Sequence, residues 1–421
     1  MIRILFVLAF AAAAAFSQPA GANYDESKVP AYTLPNPLIC NDGSRVRDSK
    51  QWEARRREIF SLLEREMFGR APARPDKITF EPTSIDKNAL GGKAIRKEIA
   101  IKTAGRTMNL LLYLPPQAAH KQVPVIVGLN FGGNHTVHAD PGIRMGDVWT
   151  LDRATKTVNA AKAEEKSRGR SSEQWQVEKI LSRGYGLATV YYEDIEPDHD
   201  GMISKSIRAA YLKPGETSVG DGEWGAIAAW AWGLSRIVDY LATDRQVDSR
   251  RLAVMGHSRL GKTALWAAAV DTRFALAISN DSGEGGAAIS RRMFGETVEN
   301  LNTRFPHWFA PNYRKYNSRV SEMPFDSHML LSLIAPRPVY IASAEEDKWA
   351  DPKGEFLAGV AVSPVYELLN RRGIGTAEMP GLHQPVGNSV RYHVRAGKHD
   401  VTAYDWDQYL DFADRHLLGK Q

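Results

Sequence analysis

From about residue 124 onward, short apolar runs alternate with helical segments, and this alternation constrains the fold more than any other feature of the chain. PVIVGLN (124–130), YGLATVYYED (185–194), RLAVMG (251–256), FALAISND (274–281) and PVYIASAE (338–345) each have the length and β-branched content of a strand. Later runs are separated by helix-like stretches such as EWGAIAAWAWGLSRIVDYLAT (223–243) and LGKTALWAAAV. Strands that are apolar on both faces and joined through helices predict a mainly parallel sheet covered on both sides, a three-layer αβα sandwich. Upstream, ITFEPTSI, AIRKEIAIKT and MNLLLYLP read as further strands, the first two with one face exposed. The long polar connections at 131–175, 195–222 and 290–328 are of the kind that carries function.

The N-terminus reads as a secretory leader. Arg3 precedes the apolar ILFVLAFAAAAAF (4–16), and Ala20-Gly21-Ala22 supplies small residues for cleavage, so residues 1–22 are expected to be removed before Asn23. The apolar run is too short to span a bilayer, and no second one occurs, so an exported protein without a membrane span is expected, periplasmic or secreted. Residues 23–75, rich in proline and charge and carrying the helix-like SKQWEARRREIFSLLEREMFG (49–69), are expected to form an arm packed on a catalytic domain at 76–421. Cys40 is the one cysteine, which excludes an intramolecular disulfide. The net charge of +5 is dispersed, and no basic cluster carries interleaved aromatics, so nucleic acid is not an expected partner. A monomer is expected.

Within this frame one serine stands out. In VMGHSRLGKT, Ser258 sits where an apolar strand turns into a helix, the place an α/β-hydrolase keeps its nucleophile. The usual G-x-S-x-G needs glycine two places after the serine; here that place is Leu260, and Gly261 follows. Serine is also an ordinary helix N-cap, and the local residues leave both readings open.

A nucleophilic serine requires a base, an acid to orient it and donors for an oxyanion. In α/β-hydrolases the chain order is serine, acid, histidine. RPVYIASAEED ends in Glu345, Glu346 and Asp347, and GKHD places His399 in a loop before the amphipathic C-terminal segment. Oxyanion donors are expected from the backbone N–H of Arg259, the Arg259 guanidinium and the Gly132-Gly133 loop. No HExxH motif occurs, and no metal, nucleotide or other cofactor is expected.

GHSRLGK, SNDSGEGGAAISRR (279–292), FPHWF (305–309), HMLLSLIAPRPVYIASAEEDKWADPKGEF (328–356) and GKHDV resemble the bacterial branch of carbohydrate esterase family 15, the glucuronoyl esterases. The resemblance runs from about residue 38 to the C-terminus. It implies an α/β-hydrolase fold, an elbow of the form G-x-S-R-x-G, and cleavage of the ester between 4-O-methyl-glucuronic acid side chains of glucuronoxylan and lignin alcohols. Position by position it implies Ser258 as nucleophile, His399 as base, Arg259 as an oxyanion-stabilising side chain, and Lys262, Glu296 and Trp349 as contacts to the glucuronate sugar. Lys262 also lies one helical turn beyond Ser258, on the same face. The family's acid stands at either of two places, here Asp281 and Asp347; Asp347 is expected to dominate with Asp281 sharing the role. Fungal members join by a disulfide the positions held here by His257 and Asp400, so a hydrogen-bonded His257–Asp400 pair is the expected replacement. Two other functional readings are an acetylxylan or other carbohydrate esterase of the same fold, and a catalytically silent polysaccharide-binding protein.

Overall fold

The computed structural model describes residues 22–152, 155 and 157–420; the leader read over residues 1–22 lies outside them apart from Ala22. Twelve strands follow in chain order: β1 (Thr79–Asn88), β2 (Ala94–Thr103), β3 (Arg106–Leu114), β4 (Val123–Asn130), β5 (Asp147–Asp152), β6 (Thr157–Lys162), β7 (Gly186–Tyr191), β8 (Val247–His257), β9 (Phe274–Asn280), β10 (Val339–Ala344), β11 (Val386–Gly387) and β12 (Val390–Arg395). Ten of them form one sheet in the order β1-β2-β3-β7-β4-β8-β9-β10-β12-β11. The stretch from β7 to β12 is parallel throughout, while β1, β2 and β3 add an antiparallel edge. The chain passes from β4 to β7 on one side and then returns to β8 on the other. The loops leaving β4 and β8 therefore diverge, which opens a crevice at their carboxyl ends.

Five longer helices matter here: α1 (Ser49–Leu63), α2 (Ala226–Leu241), α3 (Arg259–Val270), α4 (Pro352–Leu368) and α5 (Ala403–Leu417). Side chains of the central strands alternate between two cores, as the period of two requires. Val125, Val127 and Val254 join a core with Trp230, Trp266 and Phe356. Ile126, Ala253 and Met255 join another with Trp406, Tyr409 and Leu410. Helices thus cover both faces of an α/β sandwich, which is why the central strands are continuously apolar.

Residues of the N-terminal segment enter the first core. Trp52, Ile59 and Leu63 of α1 are buried there, and Phe68 stacks on Trp266 of α3 with centroids 4.2 Å apart. Several elements escaped the sequence reading. β5 and β6 pair as a hairpin inside the polar connection at 131–175, and β5 is mostly exposed, so it shows no apolar signal. β12 was hidden for the opposite reason: His393 and Arg395 are buried and both bonded to Asp405, so polar and charged letters occupy core positions. Among the described residues, no helix is long and apolar enough to cross a membrane.

Candidate active site

β8 ends at His257 and α3 begins at Arg259, so Ser258 alone makes the turn, at φ 58° and ψ −130°. A non-glycine residue pays strain for that backbone, and it persists only where the surroundings over-determine it. Here the Ser258 N–H donates to the Asn280 carbonyl at 2.9 Å, and its own carbonyl accepts from Gly261 at 2.8 Å. A Cβ at Gly256 would fall 1.8 Å from the Leu260 carbonyl oxygen, and one at Gly261 would fall 3.0 Å from Ser282 Cβ. The helix is thus pressed against the ends of β8 and β9, and the displaced glycine is the one that faces Ser282. At the start of α3, the Arg259 N–H has no acceptor within the helix and lies at the positive end of its dipole.

Two strings in this chain match phosphate-loop patterns, and the fold assigns them elsewhere. Gly256–Thr263 spells GxxxxGKT, yet a single residue separates strand from helix, leaving no loop to wrap a phosphate. Gly220–Gly225 spells GxGxxG but follows an irregular connection and not a strand. The Lys262 ammonium is buried, donating to the Ser282 carbonyl at 2.6 Å and facing Glu296 at 3.4 Å.

His399 lies in the loop after β12, and its Nδ1 is 2.6 Å from Asp347 Oδ2. Its ring centroid is 4.4 Å from that of His257, the residue before Ser258. Asp347 is buried just beyond β10. Asp281, beyond β9, is also buried, with φ 46°. Its Oδ1 accepts from the Ala344 N–H at 2.7 Å, and its Oδ2 has no hydrogen-bond partner among the described residues but lies 3.6 Å from Arg395. Burial, then the neighbouring carboxylates of Asp347 and Glu355, push Asp281 well above the usual carboxylate range. The ligand-capable atoms of Asp281, Asp347 and His399 fall within 4.8 Å of one another, a spacing that suits a cation, although His399 Nδ1 is already engaged by Asp347.

The expected His257–Asp400 pair is not formed. His257 Nδ1 meets Asn280 Oδ1 at 2.5 Å, and Asp400 Oδ1 accepts from Gln174 at 2.6 Å. Burial, and secondarily the charge of His399, hold the His257 imidazole well below its ordinary pKa, so a neutral ring packs on His399. The histidine loop is tied instead by Arg395. Its guanidinium donates to the carbonyls of Ala396 at 3.0 Å, Lys398 at 3.0 Å and Asp400 at 2.5 Å, and its Nε to Asp405 at 2.7 Å. Sequence reasoning missed Arg395, although it stands only four residues before His399. A lone arginine gives no sign of which carbonyls it will reach.

Arg259 is held by a residue that sequence reasoning also missed. Its Nη1 donates to Asp198 Oδ2 at 2.7 Å, and Asp198 Oδ1 accepts from His307 at 2.9 Å and Trp308 at 2.6 Å. Burial alone would raise the Asp198 pKa; the His307 hydrogen bond and the Arg259 charge outweigh it and keep the carboxylate ionised. The guanidinium lies over the rings of Phe131 and Trp308, and its Nε is buried with no hydrogen-bond partner among the described residues. The Gly132-Gly133 loop is close at hand, since Phe131 packs 6.2 Å from His257. Those glycines are required by Arg170, Thr136 and His135, which a Cβ would strike.

Lys262, Glu296 and Trp349 come together. Beyond the Lys262–Glu296 contact, the Glu296 N–H donates to the Trp349 carbonyl at 2.9 Å. Arg304 lies over the half-buried Trp349 ring, 5.6 Å from its centroid.

Behind them, in the loop SNDSGEGG, Glu284 is buried, and its Oε1 accepts from Ser290, Gly285 and Tyr313. Burial, the leading cause, pushes it from 4.5 up to about 8. A carboxyl raised in the fold stabilises it below the unfolded pKa and loses that contribution as pH rises through the folded one. Glu284→Gln keeps the acceptor and removes the titration. Its melting temperature should therefore gain on wild type steadily between pH 4.5 and 8. Parallel melting profiles for the two proteins across that window would count against the assignment.

A family model described as "Glucuronyl esterase, fungi" matches residues 219–370. The chain is 49% identical over 409 residues to carbohydrate esterase MZ0003 from an unknown prokaryotic organism, covering 96% of this chain and 94% of that protein. Among solved structures it is similar to a glucuronoyl esterase from Solibacter usitatus, with TM-score 0.89 and 57% identity over 93% of this chain and 99% of the other. A promiscuous CE15 esterase from a marine bacterial metagenome superposes with TM-score 0.86 at 49% identity, covering 94% of this chain and 100% of that one.

Proposed function

The chain belongs to carbohydrate esterase family 15, and from that premise we propose that it hydrolyses the ester joining glucuronate side chains of glucuronoxylan to lignin alcohols. The observation that carries the reading is the strained Ser258 elbow, flanked by the His399–Asp347 pair and by a buried Lys262–Glu296 pair suited to a polar sugar.

In this reading His399 Nε2 removes the proton from Ser258 Oγ as the oxygen attacks the uronoyl carbonyl. Asp347 on Nδ1 fixes the tautomer and stabilises the imidazolium. The negative charge passing to the carbonyl oxygen is met by the Arg259 N–H at the helix start and by the unpartnered Arg259 Nε. Collapse expels the alcohol, which takes its proton from His399, and water then releases the glucuronate by the same sequence. The reading includes export through the N-terminal leader and action as a monomer.

The test is turnover of benzyl glucuronate beside the matched galacturonate and acetylated xylan. Preference for the glucuronate supports the reading; preference for acetylated xylan makes the protein an acetyl esterase. Absence of turnover together with no labelling by a serine-directed phosphonate makes it a binding protein.

Arg259 and Asp198 yield a linked prediction. Lysine keeps the charge but loses the fixed fork of donors, so Arg259→Lys should lower kcat about 10²-fold with little change in KM, the scale of one oxyanion donor. Asp198→Asn removes the charge and replaces one of two accepting oxygens with a donor that must face either Arg259 or the His307 and Trp308 donors, and kcat should fall about tenfold. Because both act through one guanidinium, the double variant should be no worse than Arg259→Lys alone. Multiplicative losses would place Asp198 in a separate role.

A further inference from the structure

The segment ahead of α1 ends beside the residues read as sugar contacts. The Asn23 carbonyl accepts from the Gly295 N–H at 2.8 Å, one residue before Glu296. Gly295 has no room for a side chain: a Cβ there would fall 2.5 Å from the carbonyl oxygens of both Lys348 and Trp349. Residues 23–26, 293–296 and 348–351 therefore lie against one another. Ion pairs clamp the stack, because Glu26 bonds both Arg292 and Lys353, and Arg292 Nε donates to Asp351 at 2.8 Å.

Tyr24 sits edge-on to Phe294, with centroids 6.2 Å apart. Burial, and after it the charges of Asp347 and Glu296, raise its phenol pKa. Yet the Tyr24 hydroxyl and the Asn23 Nδ2 are buried without a hydrogen-bond partner among the described residues. The other end of the Asn23 amide is used, Oδ1 accepting from Asp25 at 3.0 Å. Unpaired buried donors are rare in native folds, and these two call for an explanation.

We propose that Asn23 and Tyr24 form a wall of the substrate site and donate hydrogen bonds to hydroxyl oxygens of the sugar on the acid side of the ester. Two donors carried on a clamped segment, next to Glu296 and Trp349, meet a polyhydroxylated ring better than they meet an apolar alcohol. The inference rests on the functional reading above and adds the N-terminal segment to the site.

Tyr24→Phe removes only the hydroxyl and keeps the ring on Phe294. Asn23→Ala removes the amide and keeps the backbone bond to Gly295. For each variant and wild type, kcat/KM is measured on benzyl glucuronate and on 4-nitrophenyl acetate, which has no sugar. The glucuronate-to-acetate ratio should fall about fivefold in each variant, the scale of one neutral hydrogen bond, through the KM of the glucuronate. An unchanged ratio overturns the inference, including the case where both activities fall together, as general damage to the fold would produce. A wild-type protein that does not prefer glucuronate to galacturonate defeats the functional reading and this inference with it. A wild type that does, with both variants keeping its ratio, defeats this inference alone.

Discussion

Ser258→Ala is expected to lower turnover of a glucuronate ester by about 10⁴–10⁶, the range seen when a triad nucleophile is removed. The backbone conditions for a clean test are present. Alanine at φ 58° carries the same kind of strain as serine there, and the bonds that hold the turn, to Asn280 and Gly261, are made by backbone atoms. The melting temperature should therefore stay close to wild type while kcat collapses. Arg259, Lys262 and Glu296 are untouched, so the variant should still bind substrate with an affinity near the wild-type KM. Retention of even a tenth of the activity would sink the mechanism, because among the described residues no other hydroxyl-bearing side chain sits at positive φ.

The second large effect concerns the two aspartates. Only Asp347 is within hydrogen-bond distance of His399, at 2.6 Å. Asp347→Asn removes the charge that stabilises the imidazolium and presents the wrong hydrogen-bonding partner to Nδ1, so kcat should fall about 10⁴-fold. Asp281 has other work: its Oδ1 holds the Ala344 N–H and its Oδ2 faces Arg395, which ties the histidine loop. Burial also favours its protonated form, which would offer little charge to the ring. Asp281→Asn is therefore expected to cost about tenfold or less, through the loop, with a change in thermal stability that Asp347→Asn does not share. The arrangement expected from the sequence, with the acid role divided, makes a different forecast. Each single change would then cost only about 10–10², and the double change more than their product. Measuring kcat for both single variants and the double one separates the two outcomes.

How much was legible in the residues differs from element to element. The central strands were legible because a strand buried on both faces must be apolar at every position, and a run such as PVIVGLN has few other uses. The serine turn was legible as a strand-to-helix junction, since the change of period from 2 to 3.6 is local. The chain order of Ser258, Asp347 and His399, each set just beyond a strand, was legible too, because connectivity in a doubly wound sheet is restricted. β5 was not, because an exposed hairpin needs no apolar pattern. β12 was not, because Arg395 and His393 are paired inside the core, and pairing cannot be seen one residue at a time.

The sequence by itself determined the central strands, the helices beside them and the place of Ser258 among them, since each depends on hydrophobic periodicity and turn chemistry within a short window. Only the tertiary structure decided which groups meet. His257 turned to Asn280 and not to Asp400; Arg395 took the carbonyls of the histidine loop; Asp198 crossed from a distant connection to hold Arg259; Asn23 came to lie against Gly295. Each of these is a directional contact between polar groups far apart in the chain. Its strength depends on an ångström of separation and on exclusion of water, and a linear sequence encodes neither until the core has closed around it.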